Sequence, residues 1–364
     1  MGQALAGVNS FTDLIDLASE RLGGHAVVAS DEFFASKENL VRAGRAVFIP
    51  DKYTEYGKWM DGWESRRKRE PGNDWCIIAL GRPGLIRGVN VDTGHFKGNQ
   101  PESCQVEATE LPGHPERTAL LGTDVAWTPV IARTKLGPDS EHQIPALPGA
   151  TSRRFTHVRL SIFPDGGVAR FRVHGEVVPD WNAIASQEAS DLAAAENGGL
   201  VIACNDMHFG SRHNLIMPGR ASNMGDGWET RRKRNLTWIG NQPAEFDWCV
   251  VRLGHRGTIT KVEVDTNHFK GNYPESCEIE ACDAMPVNAT TGVFVPDEHA
   301  WKTLLARTKL KPDNRHFFEH ELAGAVRGQP ITHARLKIFP DGGVSRLRLW
   351  GAPVLASTRR EGVT

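Results

Sequence analysis

The sequence predicts an all-β protein made of two copies of one antiparallel β-sandwich. Three observations carry this. A set of long motifs recurs in the same order at a spacing near 175 residues. Within each copy the apolar residues alternate with period two. Clusters of Gly, Pro, Asp and Asn punctuate the runs at strand-like intervals. A period this long exceeds any solenoid unit, so the duplicated object is a whole domain. The expected copies are residues 1–178 and 179–364, each large enough for its own core.

The elements follow in order. "SFTDLIDLASERLGG" reads as a short leading helix, with Ser10 and Asp13 as a capping box and Gly23 as the stop. "DLASERLGG" from Asp16 returns as "DLAAAENGG" from Asp191, and "SDEFFASKENL" (30–40) returns as "NDMHFGSRHNL" (205–215), both at an offset of 175. "DGWESRRKR" (61–69) returns as "DGWETRRKR" (226–234) at 165, and "DWC" at 74–76 returns at 247–249, an offset of 173. Drift of the offset between preserved blocks places insertions in the loops. "DWCIIALGRPGLIRGVNVDT" reads as two apolar runs broken by Gly-Arg-Pro-Gly. "HVRLSIFPDGGVARFRVHG" reads as a hairpin across Pro-Asp-Gly-Gly, with Val158, Leu160, Ile162, Phe171 and Val173 inward and Arg170, Arg172 and His174 facing away. The stretch 179–199 holds the linker and the second leading helix.

Bulk properties exclude several classes. The 364 residues carry 43 basic and 44 acidic side chains, a net charge of -1, so nothing pulls the chain toward nucleic acid or an anionic membrane. No apolar run approaches the roughly 20 residues needed to span a bilayer. The first residues lack the basic-then-apolar order of a secretion signal. The expected location is cytoplasmic, where the six cysteines stay reduced and mostly buried. The signatures HExxH, GxSxG, GxxxxGK[ST] and GxGxxG are missing. No cofactor is expected. A divalent metal held by residues from separate loops is left open by the sequence, since no His/Cys spacing forms a closed zinc site.

The polar blocks bear on chemistry. "VDTGHFKGNQPESC" (91–104) and "VDTNHFKGNYPESC" (264–277) repeat in their polar letters. Phe96, Gly98, Asn99 and Pro101 suit a structural turn. An imidazole, an ammonium and a carboxylate together exceed what a turn needs, so His95, Lys97 and Glu102, with His268, Lys270 and Glu275, are candidates for proton transfer and anion contact. Guanidinium forks suit a small carboxylate or a ureido oxygen, which brings in Arg133 and Arg307 of "ARTKL" and one arginine of each RRKR cluster, represented by Arg66 and Arg231. Glu64 could pair with one of its neighbouring arginines. Glu141-His142 and Glu319-His320 read as surface, and Asp165 and Asp341 as turn residues.

Together "DGWESRRKR", "DWC", "VDTGHFKGNQPESC", "ARTKL" and "IFPDGG", each present in two versions between about Asn9 and Gly351, resemble the allantoicase family. The resemblance implies two jelly rolls of the galactose-binding-like type, assembly into a homo-oligomer, and hydrolysis of allantoate to ureidoglycolate and urea in purine and allantoin degradation. The partner would then be a small anionic ureide. His95 or His268 becomes the expected acid/base with Glu102 or Glu275 beside it, and Lys97, Lys270, Arg133, Arg307, Arg66 and Arg231 the expected substrate contacts. The competing class is a non-catalytic tandem sandwich that binds a ligand or a carbohydrate.

Overall fold

The computed structural model describes residues 6–8, 10–111, 113, 115, 117–186, 189–284 and 295–355. The chain divides into two compact units, Ser10–Val178 and the stretch from Pro179 onward together with the first nine residues. In the second of these, Ala6–Gly7 pairs antiparallel with the strand Leu200–Cys204.

The first unit is built around one strand, Asp74–Asp92. Its leading half pairs with His25–Ala29 on one side and Arg154–Phe163 on the other. Its trailing half pairs with Arg170–Val177 and Glu141–Pro145. Ser103–Thr109 and Thr128–Lys135 extend the first half outward. One bent strand therefore serves both layers of a jelly-roll-type sandwich, and every pairing is antiparallel. The inner faces alternate as period two demands: Cys76, Ile78, Ile86, Val89 and Val91 are buried, as are Val158, Leu160, Ile162, Phe171 and Val173. The second unit repeats this around Asp247–Asp265, which pairs with Leu200–Cys204, Pro330–Phe339, Arg315–Phe318 and Arg346–Pro353.

Three expectations are corrected. The Gly-Arg-Pro-Gly segment does not divide two strands. The register jumps from Phe155↔Gly84 to His157↔Ala79, so residues 80–83 form a bulge that bends one continuous strand between layers. The leading segment is not one helix. It is two single 3-10 turns, Phe11–Asp13 and Glu20–Leu22, separated by the short strand Ile15–Asp16. The capping box of Ser10 and Asp13 is present and Gly23 closes the second turn at φ 100°. Pairing of Ile15–Asp16 with His174 and Gly175 outcompetes helix continuation. The third concerns Arg170, which faces away from the inner layer yet lies buried beneath the loop that follows Val41.

That guanidinium is fully engaged. Its Nε donates to the Gly44 carbonyl (2.8 Å), one Nη to the carbonyls of Asp61 (3.0 Å) and Ala169 (2.7 Å), and the other to Asp61 Oδ2 (2.8 Å). The second unit repeats the arrangement with Arg346 on Gly219 and Asp226. All six cysteines are free and buried, and burial pushes the Cys104 and Cys277 thiols up to about 12. Among the described residues no helix is long and apolar enough to cross a membrane.

Burial would raise the Asp61 carboxyl, but the Arg170 fork, the Val47 N–H and Arg42 outweigh it and hold the group below its ordinary value. A depressed carboxylate contributes stability that is present above its unfolded pKa and lost as pH falls through the folded value. Arg170→Met should therefore cost about 3–5 kcal/mol at neutral pH by removing the fork from buried Asp61, which Arg42 at 3.7 Å and the Val47 N–H only partly replace. The difference from wild type should shrink in acid, as read by denaturant unfolding across pH.

Candidate functional site

The block 93–102 is a loop at one end of the first sandwich, and its residues leave in different directions. Thr93 Oγ1 donates to the Gly137 and Ser140 carbonyls at 2.7 and 3.0 Å, which ties the loop to its neighbour. Phe96 is wholly buried with Met60 and Ala169, as a plug at the core end. A Cβ on Gly167 would stand 1.9 Å from its ring, so that turn requires glycine. His95 takes φ 70°, the left-handed region that costs a side-chain-bearing residue about 1–2 kcal/mol. The turn is held by its N–H donating to Asp139 Oδ1 (2.7 Å), and its ring nitrogen lies 3.2 Å from the Ala46 carbonyl with the ring stacked on Phe48. Lys97 pairs with Asp139 at 3.0 Å.

On the other side of the loop two neighbouring clefts open. One, of about 750 Å³, is lined by Asp31, Phe33, Arg66, Arg69 and Asp74. The other, of about 680 Å³, is lined by Glu64, Ser65, Asn99, Gln100, Glu102 and Asp165. Phe34, Arg67 and Lys68 line both. Of the expected site residues, the structure thus brings Glu102 and Arg66 to this region. His95, Lys97 and Arg133 line neither cleft. Arg133 stacks over Phe163 at 4.0 Å and donates to Ser103 Oγ at 3.0 Å, beside Glu102.

Local hydrogen bonding sorts the cluster that sequence could not resolve. Arg66 is committed to Asp31, at 2.7 Å through both Nε and Nη2. Burial raises Asp31, but the N–H groups of Arg66 and Phe33 and the Arg66 fork outweigh it and hold Asp31 below its usual range. Lys68 is committed to buried Asp74 at 2.6 Å. Arg67, between them, has no hydrogen bond or ion pair among the described residues and faces both clefts. Glu64 is the residue the sequence reading underweighted. It sits beside fully buried Trp63, whose indole N–H donates to the Asp31 carbonyl (2.8 Å). Burial raises the Glu64 carboxyl, and the Asn99 amide, donating at 2.9 Å, only partly opposes this. Glu102 is exposed, and its carboxylate has no partner among the described residues. Asp165 accepts the Lys68 N–H at 2.8 Å, as its turn role requires. A half-buried carboxyl with a raised pKa, a free carboxylate and an unpaired guanidinium thus share one cleft. That set can bind a small carboxylate, protonate a leaving group and accept a proton from water.

The second unit holds the counterparts differently. His268 also takes φ 70°, with its N–H on Asp313 and its ring nitrogen 2.9 Å from the Ala221 carbonyl. Lys270 lies 3.9 Å from Asp313, and Arg231 3.7 Å from Asp206. Glu275 and Arg307 meet directly, 3.5 Å apart. The structural counterpart of His142 is His316: each ring accepts a backbone N–H at 2.8 Å, from Gly137 and Lys311. Among the described residues no three His, Cys, Asp or Glu side chains converge as a metal-ligand cluster.

Comparison with known proteins agrees with the duplication. A family model described as the allantoicase repeat matches residues 15–178 and again 190–354. A probable allantoicase of Burkholderia mallei is 47% identical, covering 93% of this chain and 94% of that protein. One from Ralstonia nicotianae is 46% identical over the same shares. The crystal structure of allantoicase from Saccharomyces cerevisiae superposes with a TM-score of 0.74 at 37% identity, covering 93% of this chain and 92% of that one.

Asn99 stabilises the ionised form of Glu64. Removing that amide as Asn99→Ala should raise the Glu64 carboxyl further, visible as an upward shift of its side-chain carbon titration by NMR.

Proposed function

The chain belongs to the allantoicase family, and from that premise we infer that it hydrolyses allantoate to ureidoglycolate and urea in the first unit's cleft. Allantoate carries a carboxylate and two ureido groups on one tetrahedral carbon. Release of intact urea requires cleavage of the bond from that carbon to a ureido nitrogen, because water attack on a ureido carbonyl would give carbamate and an amine.

Arg67 takes the substrate carboxylate, since Arg66 and Lys68 are occupied by Asp31 and Asp74. Glu64, whose protonated form burial favours, gives its proton to the departing ureido nitrogen. The lone pair of the remaining ureido nitrogen forms a C=N bond as urea leaves. Water then adds to the carbon, and Glu102 takes the released proton. The nitrogen recovers its electron pair, and the product bears the hydroxyl. Proton return from Glu102 to Glu64 closes the cycle. His95 and His268 enter this proposal as anchors that hold the loop turn against the Ala46 and Ala221 carbonyls.

The observation that carries the proposal is the convergence of a half-buried carboxyl, a free carboxylate and an unpaired guanidinium in one cleft. An acid/base group contributes about 10²–10⁴-fold, so Glu64→Gln should reduce urea release from allantoate by about that range. Arg67→Ala should raise KM more than it lowers kcat. Wild-type turnover should decline as pH rises through the elevated Glu64 pKa, because the acid must start protonated. Normal turnover in Glu64→Gln would remove it from the mechanism.

A further inference from the structure

We propose that the second unit's copy of this cleft is sealed by its own hairpin, so that one repeat of the two turns substrate over. The inference rests on the reading of the first unit's cleft as the active site.

The offset drift locates the device. In the first unit the RRKR cluster connects to "DWC" through Glu70–Asn73 alone. In the second the same connection runs through Asn235–Phe246. That insertion folds: Trp238–Ile239 pairs with Gln242–Pro243, and the Thr237 N–H donates to both Glu245 oxygens at 2.8 and 2.9 Å. Its return strand docks on the wall that carries the repeated glutamate. The buried Pro243 accepts a hydrogen bond from Arg307 Nη1 at 2.9 Å. Phe246 packs on Phe339 with ring centres 5.5 Å apart, and Lys337 lies over its ring at 5.2 Å.

The consequence is read in two pairs of equivalent residues. In the first unit Glu102 and Arg133 are exposed. In the second, Glu275 Oε2 and Arg307 Nη2 are shut off from solvent and stand 3.5 Å apart, with Lys309 3.4 Å from the other oxygen. Burial raises the Glu275 carboxyl, but Ser276, Lys309 and Arg307 outweigh it, so its pKa is held below the ordinary value and both oxygens are engaged by cations. A carboxylate so committed cannot take a proton from water. Tyr273 in place of Gln100 puts an aromatic ring on the adjacent stretch. Glu229 keeps the Asn272 bond that matches Asn99 on Glu64, so the difference between the copies lies at the second carboxylate: Glu102 stands free, while Glu275 is bound by Arg307 and Lys309.

The test compares matched variants in the full chain. Glu64→Gln and Arg67→Ala should each impair urea release, while Glu229→Gln and Arg232→Ala at the equivalent positions should leave kcat and KM unchanged. Titration of allantoate into the turnover-deficient Glu64→Gln protein by calorimetry should give one equivalent per chain. Two equivalents per chain would overturn the proposal, as would a loss in Glu229→Gln or Arg232→Ala that matches its first-unit partner with an unaltered melting temperature. A wild-type protein that releases no urea from allantoate would instead sink the functional reading, so the two failures are separable.

Discussion

The buried Arg170–Asp61 fork is the constraint on which the working end of the first unit depends. A guanidinium removed from water is tolerable only when its donors are all met. Here they are met by the carbonyls of Gly44, Asp61 and Ala169 and by the Asp61 carboxylate. These acceptors come from the sheet, from the loop after Val41 and from the DGWE segment. One charge therefore ties the loop after Val41 to two elements whose own pairing is only the short ladder of Trp63–Glu64 with Gly167–Val168. Gly62 follows directly, and a Cβ there would meet the Val168 carbonyl at 2.7 Å, so the segment lies flush on the turn. Trp63 then drops into the core and Glu64 is left at the rim of the cleft. The position of the carboxyl is set by the fork three residues before it.

The same logic explains why the fold was legible and where reading stopped. Period-two alternation reports directly on which face is dry, and the inward residues Val158, Leu160, Ile162, Phe171 and Val173 are all buried. Alternation places Arg170 on the other face but cannot say what covers that face, and at Arg170 a loop lies over it. Glycine and proline normally end strands, but in residues 80–83 they bend one, because the strand must cross from layer to layer. The leading segment has the capping chemistry of a helix, and local propensity yields to strand pairing at Ile15–Asp16.

The site was legible in its letters and obscure in its partners. Repetition of polar residues marked the 91–104 block and the RRKR cluster, and Glu102 and Arg66 do come to the cleft region. The environment of Glu64 is created by Asn99, distant in sequence, and no spacing rule connects them. Choice among Arg66, Arg67 and Lys68 follows from which of them meets Asp31 or Asp74, again a tertiary fact. Side-chain type announces a capacity for chemistry. Only the partner list says whether that capacity is spent inside the protein or left for a ligand.

Duplication gives this distinction a consequence. Two copies of one charged constellation begin with the same partners, and a change that closes one leaves the other able to work. The insertions lie on opposite sides of the repeated DGWE segment. In the first unit the extra residues precede it and supply Phe48 to His95, while in the second they follow it and supply Pro243 and Phe246. The first insertion braces the loop from behind and leaves Glu102 in water. The second lies against the wall of the glutamate, where Glu275 and Arg307 form a partly buried pair. Such a pair is costly to break, since either partner alone would be an uncompensated buried charge. The same residue type can thus be left for a ligand in one copy and be tied into structure in the other, with the letters repeated for different physical reasons.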